Sequence, residues 1–352
     1  MSACGRIPLT GGEALSGKIA GTVLQAVRQA IGFTQADLAE HAGAGVTTVQ
    51  GWETGRRPLI NVRQREQFRL RRLLQTAGAD PQMLRLLDPA LTADNILAEI
   101  STPDPELHPL ALLVPDRTLT ELLAWPITGT PPRQLRGTRA YLPVGAGVRE
   151  HLVAQLRELA ERAPASTTAG AMLRRQAQFL IASHPGFHEW VNNAVRADLA
   201  GTRNLGDWSV HWPVARSYAV SSSIAGDPEP LHRFTTEGLA TEQGAAANLT
   251  YWAYWVGEIN GQWASDQEML RDQSWSGETL LASLIDGIMH APYRELCAHT
   301  LWALLRVKRG LMASPETAAR IATAIDTTLS DGMVPDTARR KLEQVDYLVR
   351  SR

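Results

Sequence analysis

The sequence predicts a mainly α-helical protein, with a small N-terminal domain and a larger helical body. Three observations lead there. Near the N-terminus, short amphipathic runs are punctuated by Gly32, Gly43 and Gly55. Further along, apolar residues recur at three- and four-residue spacing through several runs, the period of a helix that buries one face. Between the two, "TPDPELHP", "VPD" and "AWPITGTPP" make residues 102–132 a proline-dense stretch that reads as irregular, with a short helix at "LTELLAW".

The first run, "KIAGTVLQAVRQAIG", places Ile19, Val23, Val27 and Ile31 four apart with Leu24 beside them, and Gly32 ends it. Thr34 stands where an N-cap belongs, and Asp37 three residues on is its capping-box partner. A second helix over Gln35 to His41 turns Leu38 and Ala39 inward. "AGAG" then breaks the chain, because glycine suits left-handed corners and not helices. The third helix runs from about Val46 to Thr54. Val49 and Trp52 point inward, so Val46, Thr47 and Gln50 lie on the outward face, and Gly55 stops the helix. "RQREQFRLRRLLQTAG" continues helically, with Leu70, Leu73 and Leu74 among its arginines.

Charge separates this end from the rest. Residues 1–75 hold ten Lys and Arg against five acids, a net +5, and the remaining 25 basic and 31 acidic residues give −6. A basic end on an acidic body suits a domain that approaches phosphates. An outward face of small and amide side chains can lie in a major groove. There, glutamine pairs with adenine, threonine hydrogen-bonds or touches a thymine methyl, and valine makes only the apolar contact. Free N–H groups at the helix starts favour phosphate oxygens.

Arg28, Gly32, Thr34–Gln35, Leu38–Ala39, Gly43, Val49, Trp52–Glu53, Gly55 and Pro58 together resemble the phage-repressor-like helix-turn-helix family of the xenobiotic-response-element type. The resemblance covers about residues 18–75 and implies a five-helix DNA-binding domain of a transcriptional regulator. By it, Gln35 sits over the sugar–phosphate backbone at the start of the second helix, with Thr34 also among the DNA-binding residues. Gly45, Val46, Thr47, Thr48, Gln50 and Gly51 belong to the recognition helix, and Arg56 and Arg57 follow at the DNA edge. Arg28 and Glu53 take the positions that form a structural ion pair in such domains. Two departures stand out. Gly45 replaces the preferred Ser or Thr N-cap, and Gly51 leaves a reading position without a side chain. Thr47 and Gln50 then carry direct readout, with DNA shape supplying more.

The body follows a loosely placed boundary. "GAGVREHLVAQLRELAERAP" sets Val148, Leu152, Leu156 and Leu159 on one stripe, and "AMLRRQAQFLIASHPGFHEWVNNAVRADL" reads as two helices broken at Pro185–Gly186. An irregular Trp-bearing stretch comes next, followed by helices at "GAAANLTYWAYWVGEI", "ETLLASLIDGIM" and "YRELCAHTLWALLRVKRG". Ser314–Pro315 opens another helix, and a last one runs to the C-terminus. Tyr251, Tyr254 and Trp255 share a face with Trp252 to the side, so that helix is apolar on more than one side. It is central in the body, or half of an oligomer interface, or the wall of a ligand pocket. "NLTYWAYWVGE" and "HTLWALL" also look like the C-terminal half of long regulators of this type from actinomycete-like bacteria.

No chemistry-bearing motif emerges. His184 and His188 are separated by a Pro-Gly break, and Cys297 and His299 lack a second pair, so no metal and no cofactor is expected. Phosphate-loop, dinucleotide and GxSxG patterns are absent, and "GAGVRE" lacks the last glycine. With 44% apolar and 20% charged residues the chain reads as globular. It has no run of eighteen apolar residues and no secretory-type opening, and Cys4 and Cys297 cannot make a disulfide framework. A cytoplasmic, non-enzymatic chain is expected. The expected organisation is an arm over 1–17, the helix-turn-helix domain over 18–78, a connecting region over 79–135 and a dimerisation or regulatory body over 136–352. The expected partners are double-stranded DNA, a second copy of the chain, and a small-molecule or protein effector. The alternatives are an antitoxin-like adaptor whose DNA binding serves autoregulation, and an enzyme tethered to DNA by this domain.

Overall fold

The computed structural model describes residues 15–200, 202, 204–331 and 334–351. Cys4 and most of the expected arm lie outside them. The described chain is mainly α, with no strand, and packs as two compact units. One holds the described residues through Pro164 together with Gln176–Gly186, and the other holds Ala165–Arg175 and the residues from Phe187 onward.

The first unit begins with α1 (Lys18–Ala30), whose Ile19, Val23, Leu24 and Val27 are fully buried. α2 (Gln35–Ala42) opens on the Thr34–Asp37 capping box and ends at Gly43, whose φ is 65°. α3 (Val46–Glu53) and, after a short 3-10 turn, α4 (Gln64–Thr76) complete the N-terminal cluster. The region expected to connect the domains is itself helical. It forms α5 (Pro81–Arg85), α6 (Leu87–Ala98), α7 (Pro109–Leu112) and α8 (Arg117–Thr128). α6 packs directly on α1 and α8. Its Asp94 explains why: α1 starts at Gly17, which has no capping side chain, and the buried Asp94 carboxylate accepts from the N–H groups of Ile19 at 3.0 Å and Ala20 at 2.9 Å. α9 (Ala146–Arg162) buries Leu152, Leu156 and Leu159 and packs on α8.

α10 (Thr168–Ile181) supplies residues to both units, and α11 (His188–Asp198) follows the Pro-Gly break. The Trp-bearing stretch, expected to be irregular, contains α12 (Trp212–Ile224) and the short α13 (Glu229–Arg233). Pro213 is the reason α12 starts where it does, since proline suits the first turn. Ser217, Ser222 and Ser223 of "SYAVSSS" are buried, and the Ser217 hydroxyl accepts from Arg175 Nη1 at 3.3 Å while that of Ser223 donates to the Pro292 carbonyl at 2.9 Å. α14 (Glu242–Trp255), α15 (Glu278–His290), α16 (Arg294–Val307), α17 (Pro315–Ser330) and α18 (Asp336–Arg350) finish the second unit. α16 is its centre, touching α14, α15 and α18 and burying Leu296, Leu301, Leu304 and Leu305.

The aromatic helix α14 faces inward. Tyr251, Trp252 and Tyr254 are buried and Trp255 is half-buried. Tyr254 stacks on Trp263 with centroids 4.1 Å apart, and Tyr251 on Trp255 at 6.3 Å. Arg216 of α12 lies 4.4 Å from the Tyr251 ring centre and 5.3 Å from that of Trp252, and donates to Asn248 Oδ1 at 2.8 Å. Burial pulls its pKa down to about 10, which leaves the guanidinium charged at neutral pH. Core packing thus accounts for the burial of Tyr251, Trp252 and Tyr254.

Candidate nucleic-acid interface

The candidate site is a surface on the first unit, built around α3. Its inward side is held by two contacts with α1. The first is a close approach: a Cβ at Gly21 would stand 2.4 Å from the Trp52 carbonyl oxygen and 2.7 Å from that of Glu53, so only glycine lets the helices meet here. The second is ionic. Arg28 Nε donates to Glu53 Oε1 at 2.5 Å and Nη2 to Oε2 at 3.1 Å, with both side chains under a tenth exposed. Arg28 Nη1 also donates to the Phe33 carbonyl at 2.6 Å, which fixes the turn into α2. Val49 is fully buried, while Trp52 is half-buried and lines a groove towards α4.

Across the helix from Val49, Val46, Thr47 and Gln50 are exposed and Thr48 is half-buried. Gly45 precedes them in an extended conformation with no side-chain cap, so no N-cap hydroxyl takes the N–H groups at the start of α3. Arg56 and Arg57 are exposed just beyond the helix, after Gly55 at φ 74° turns the chain back. Arg56 Nη2 approaches the Thr47 carbonyl at 3.4 Å, and Arg57 Nη1 donates to Thr48 Oγ1 at 2.9 Å. Both arginines therefore fold back along α3.

Two candidate residues have contacts within the domain that the sequence did not show. Gln35, assigned to the phosphate backbone, donates from Nε2 to Glu53 Oε2 at 2.7 Å and so completes the buried carboxylate's shell. Gly51, read as an empty outward position, is buried, because the Arg57 side chain lies over it. Thr34 is exposed but spends its hydroxyl on the capping box with Asp37, whose carboxyl those bonds hold below its usual range. Arg63, just before α4, and Arg65, Arg69 and Arg72 on it are exposed, while Arg71 pairs with Asp88. An open groove of about 1060 Å³ separates Thr48 and Trp52 from Arg69 and Arg72. Gly21 and Asp94 went unmarked in the sequence, for neither shows a pattern until its partner is in place.

Short helices in this order, with the third held from within by the first and exposed along one flank, define a helix-turn-helix domain. Residues 19–87, which span α1 to α5, match the helix-turn-helix domain family. No curated protein and no solved structure matches the chain. The matched domain supports a DNA-binding regulator. Among the described residues, no cluster of His, Cys, Asp or Glu is placed to hold a metal ion, and no helix is long and apolar enough to cross a membrane.

Proposed function

We propose that the protein is a cytoplasmic, sequence-specific transcriptional regulator of the phage-repressor-like type, with α3 as the recognition helix in the major groove. The observation that carries this is the two-sidedness of α3. Val49 and Glu53 are locked inward, while Val46, Thr47 and Gln50 stand exposed on a face with no acidic residue. Gln50 and Thr47 have the chemistry to read adenine and thymine, Val46 meets a thymine methyl, and the uncapped start of α3 with Arg56 takes phosphate oxygens. So few base contacts give little discrimination alone. Useful specificity then calls for two half-sites about one helical turn apart, bound by a dimer that the C-terminal body joins.

The test is selection from a randomised double-stranded DNA pool by the full chain. Enrichment of a motif with two half-sites spaced by about ten base pairs is expected. A folded protein that enriches no sequence would sink the proposal.

A further inference from the structure

Position 51 lies one turn beyond Thr47 on the outward half of α3 and carries no side chain. The surface it leaves is filled by another residue. A Cβ at Gly51 would stand 3.1 Å from both Cγ and Cδ of Arg57 and 3.3 Å from its Cβ, so the arginine stem occupies the slot that the glycine opens. The backbone sets this up: Arg57 N–H donates to the Gly51 carbonyl at 2.9 Å, bringing residue 57 back beside the helix after the turn at Gly55. Thr48 then receives one guanidinium hydrogen at 2.9 Å.

We propose that Arg57 is the base-reading side chain that stands in for the missing one at position 51, and that it selects a guanine in each half-site. This rests on the major-groove reading of α3. Of the five N–H donors on a guanidinium, Thr48 uses one. Among the described residues no carboxylate pairs with Arg57, and its head is exposed. The planar fork left over matches the O6 and N7 acceptors of guanine, the pairing that geometry favours for arginine. A phosphate contact needs only a charge within reach. A stem seated in a glycine slot with its head tied to Thr48 is a fixed donor, which loses less rotamer freedom on binding than a free surface arginine. Thr48 is accordingly a positioning residue, and Gly51 a space held open.

The experiment is the same selection run in parallel on the parent, Arg57→Lys, Arg57→Ala and Gly51→Ala, with melting curves to confirm folding. The parent motif should contain a fixed guanine. Both Arg57 variants should lose discrimination at that one position, by roughly 5- to 150-fold against the other bases, while the rest of the motif survives. Arg57→Lys should keep the salt dependence of the parent, since its charge remains. Gly51→Ala adds a methyl where the arginine stem now sits, in a helix that tolerates alanine well. It should weaken the guanine preference without lowering the melting temperature. The inference is overturned if Arg57→Ala selects the parent motif unchanged and only weakens binding evenly, with the salt slope reduced by about one: Arg57 is then a phosphate contact. A folded parent that enriches nothing overturns the recognition-helix reading as well, and the two failures are told apart by the parent arm alone.

Discussion

Glu53 shows how individual residues of the binding domain are specified. Its buried carboxylate receives Arg28 Nε and Nη2 from α1 and Gln35 Nε2 from α2, so one side chain ties three helices together. Removing the cation alone would leave a buried carboxylate with the glutamine as its remaining side-chain donor. Arg28→Ala is therefore expected to cost roughly 3–5 kcal/mol. Replacing both charges, as in Arg28→Met/Glu53→Leu, should cost less than the single change. Urea unfolding of the three proteins decides this, and a midpoint for Arg28→Ala equal to the parent's would contradict the buried pair. His108 makes a different demand. Its Nδ1 accepts from Leu110 N–H and its Nε2 faces the Ile96 carbonyl, both at 3.1 Å, so the neutral ring is the one that fits. Burial lowers its pKa to about 4, below the ordinary value near 6.5. The stability it contributes is complete above about pH 6.5 and is lost as pH falls through 4, up to roughly 3 kcal/mol. Asp94 works in the opposite sense: burial raises it to about 7, so its contribution is complete below about pH 4 and is lost as pH rises through 7. The two windows overlap, so the measurement is a comparison. A His108→Gln variant should lose less stability than the parent between pH 6.5 and 4, and equal losses would contradict the account.

At the scale of elements, helix placement was legible where a stripe and a cap agree. The Thr34–Asp37 box, the break at Gly43, the break at Pro185–Gly186 and the Ser314 cap could each be read from local chemistry, because local hydrogen bonds decide them. What could not be read were relations across sequence. Asp94 caps a helix 74 and 75 residues away, and nothing about its neighbours says so. α12 was hidden because Pro213 and a serine run look like loop signals until the first helical turn and the partners of Ser217 and Ser223 explain them. Gly21 is a third case, an unremarkable glycine in a helical pattern that two carbonyl oxygens of α3 make irreplaceable. Gly21→Ala gains helix propensity yet must push α1 off α3, against rigid backbone. A destabilisation of roughly 1–3 kcal/mol or more is expected. A rise in melting temperature would mean the helices do not meet there.

For the whole molecule, the sequence announced a basic helix-turn-helix end and a mainly helical body, and the outward face of α3 was already legible from spacing. Arg57 was legible only as a charge, because its seat over Gly51 depends on how the chain returns after Gly55. In the proposed complex α3 reads bases through Thr47 and Gln50, while Arg56 and the start of α3 hold phosphates. The most direct test is to titrate the selected duplex with the parent and with Thr47→Ala/Gln50→Ala at several salt concentrations. The account predicts a loss of roughly 1–3 kcal/mol for each base contact removed, with the slope of log affinity against log salt unchanged. Equal affinity for the selected duplex in the parent and the double variant would contradict it.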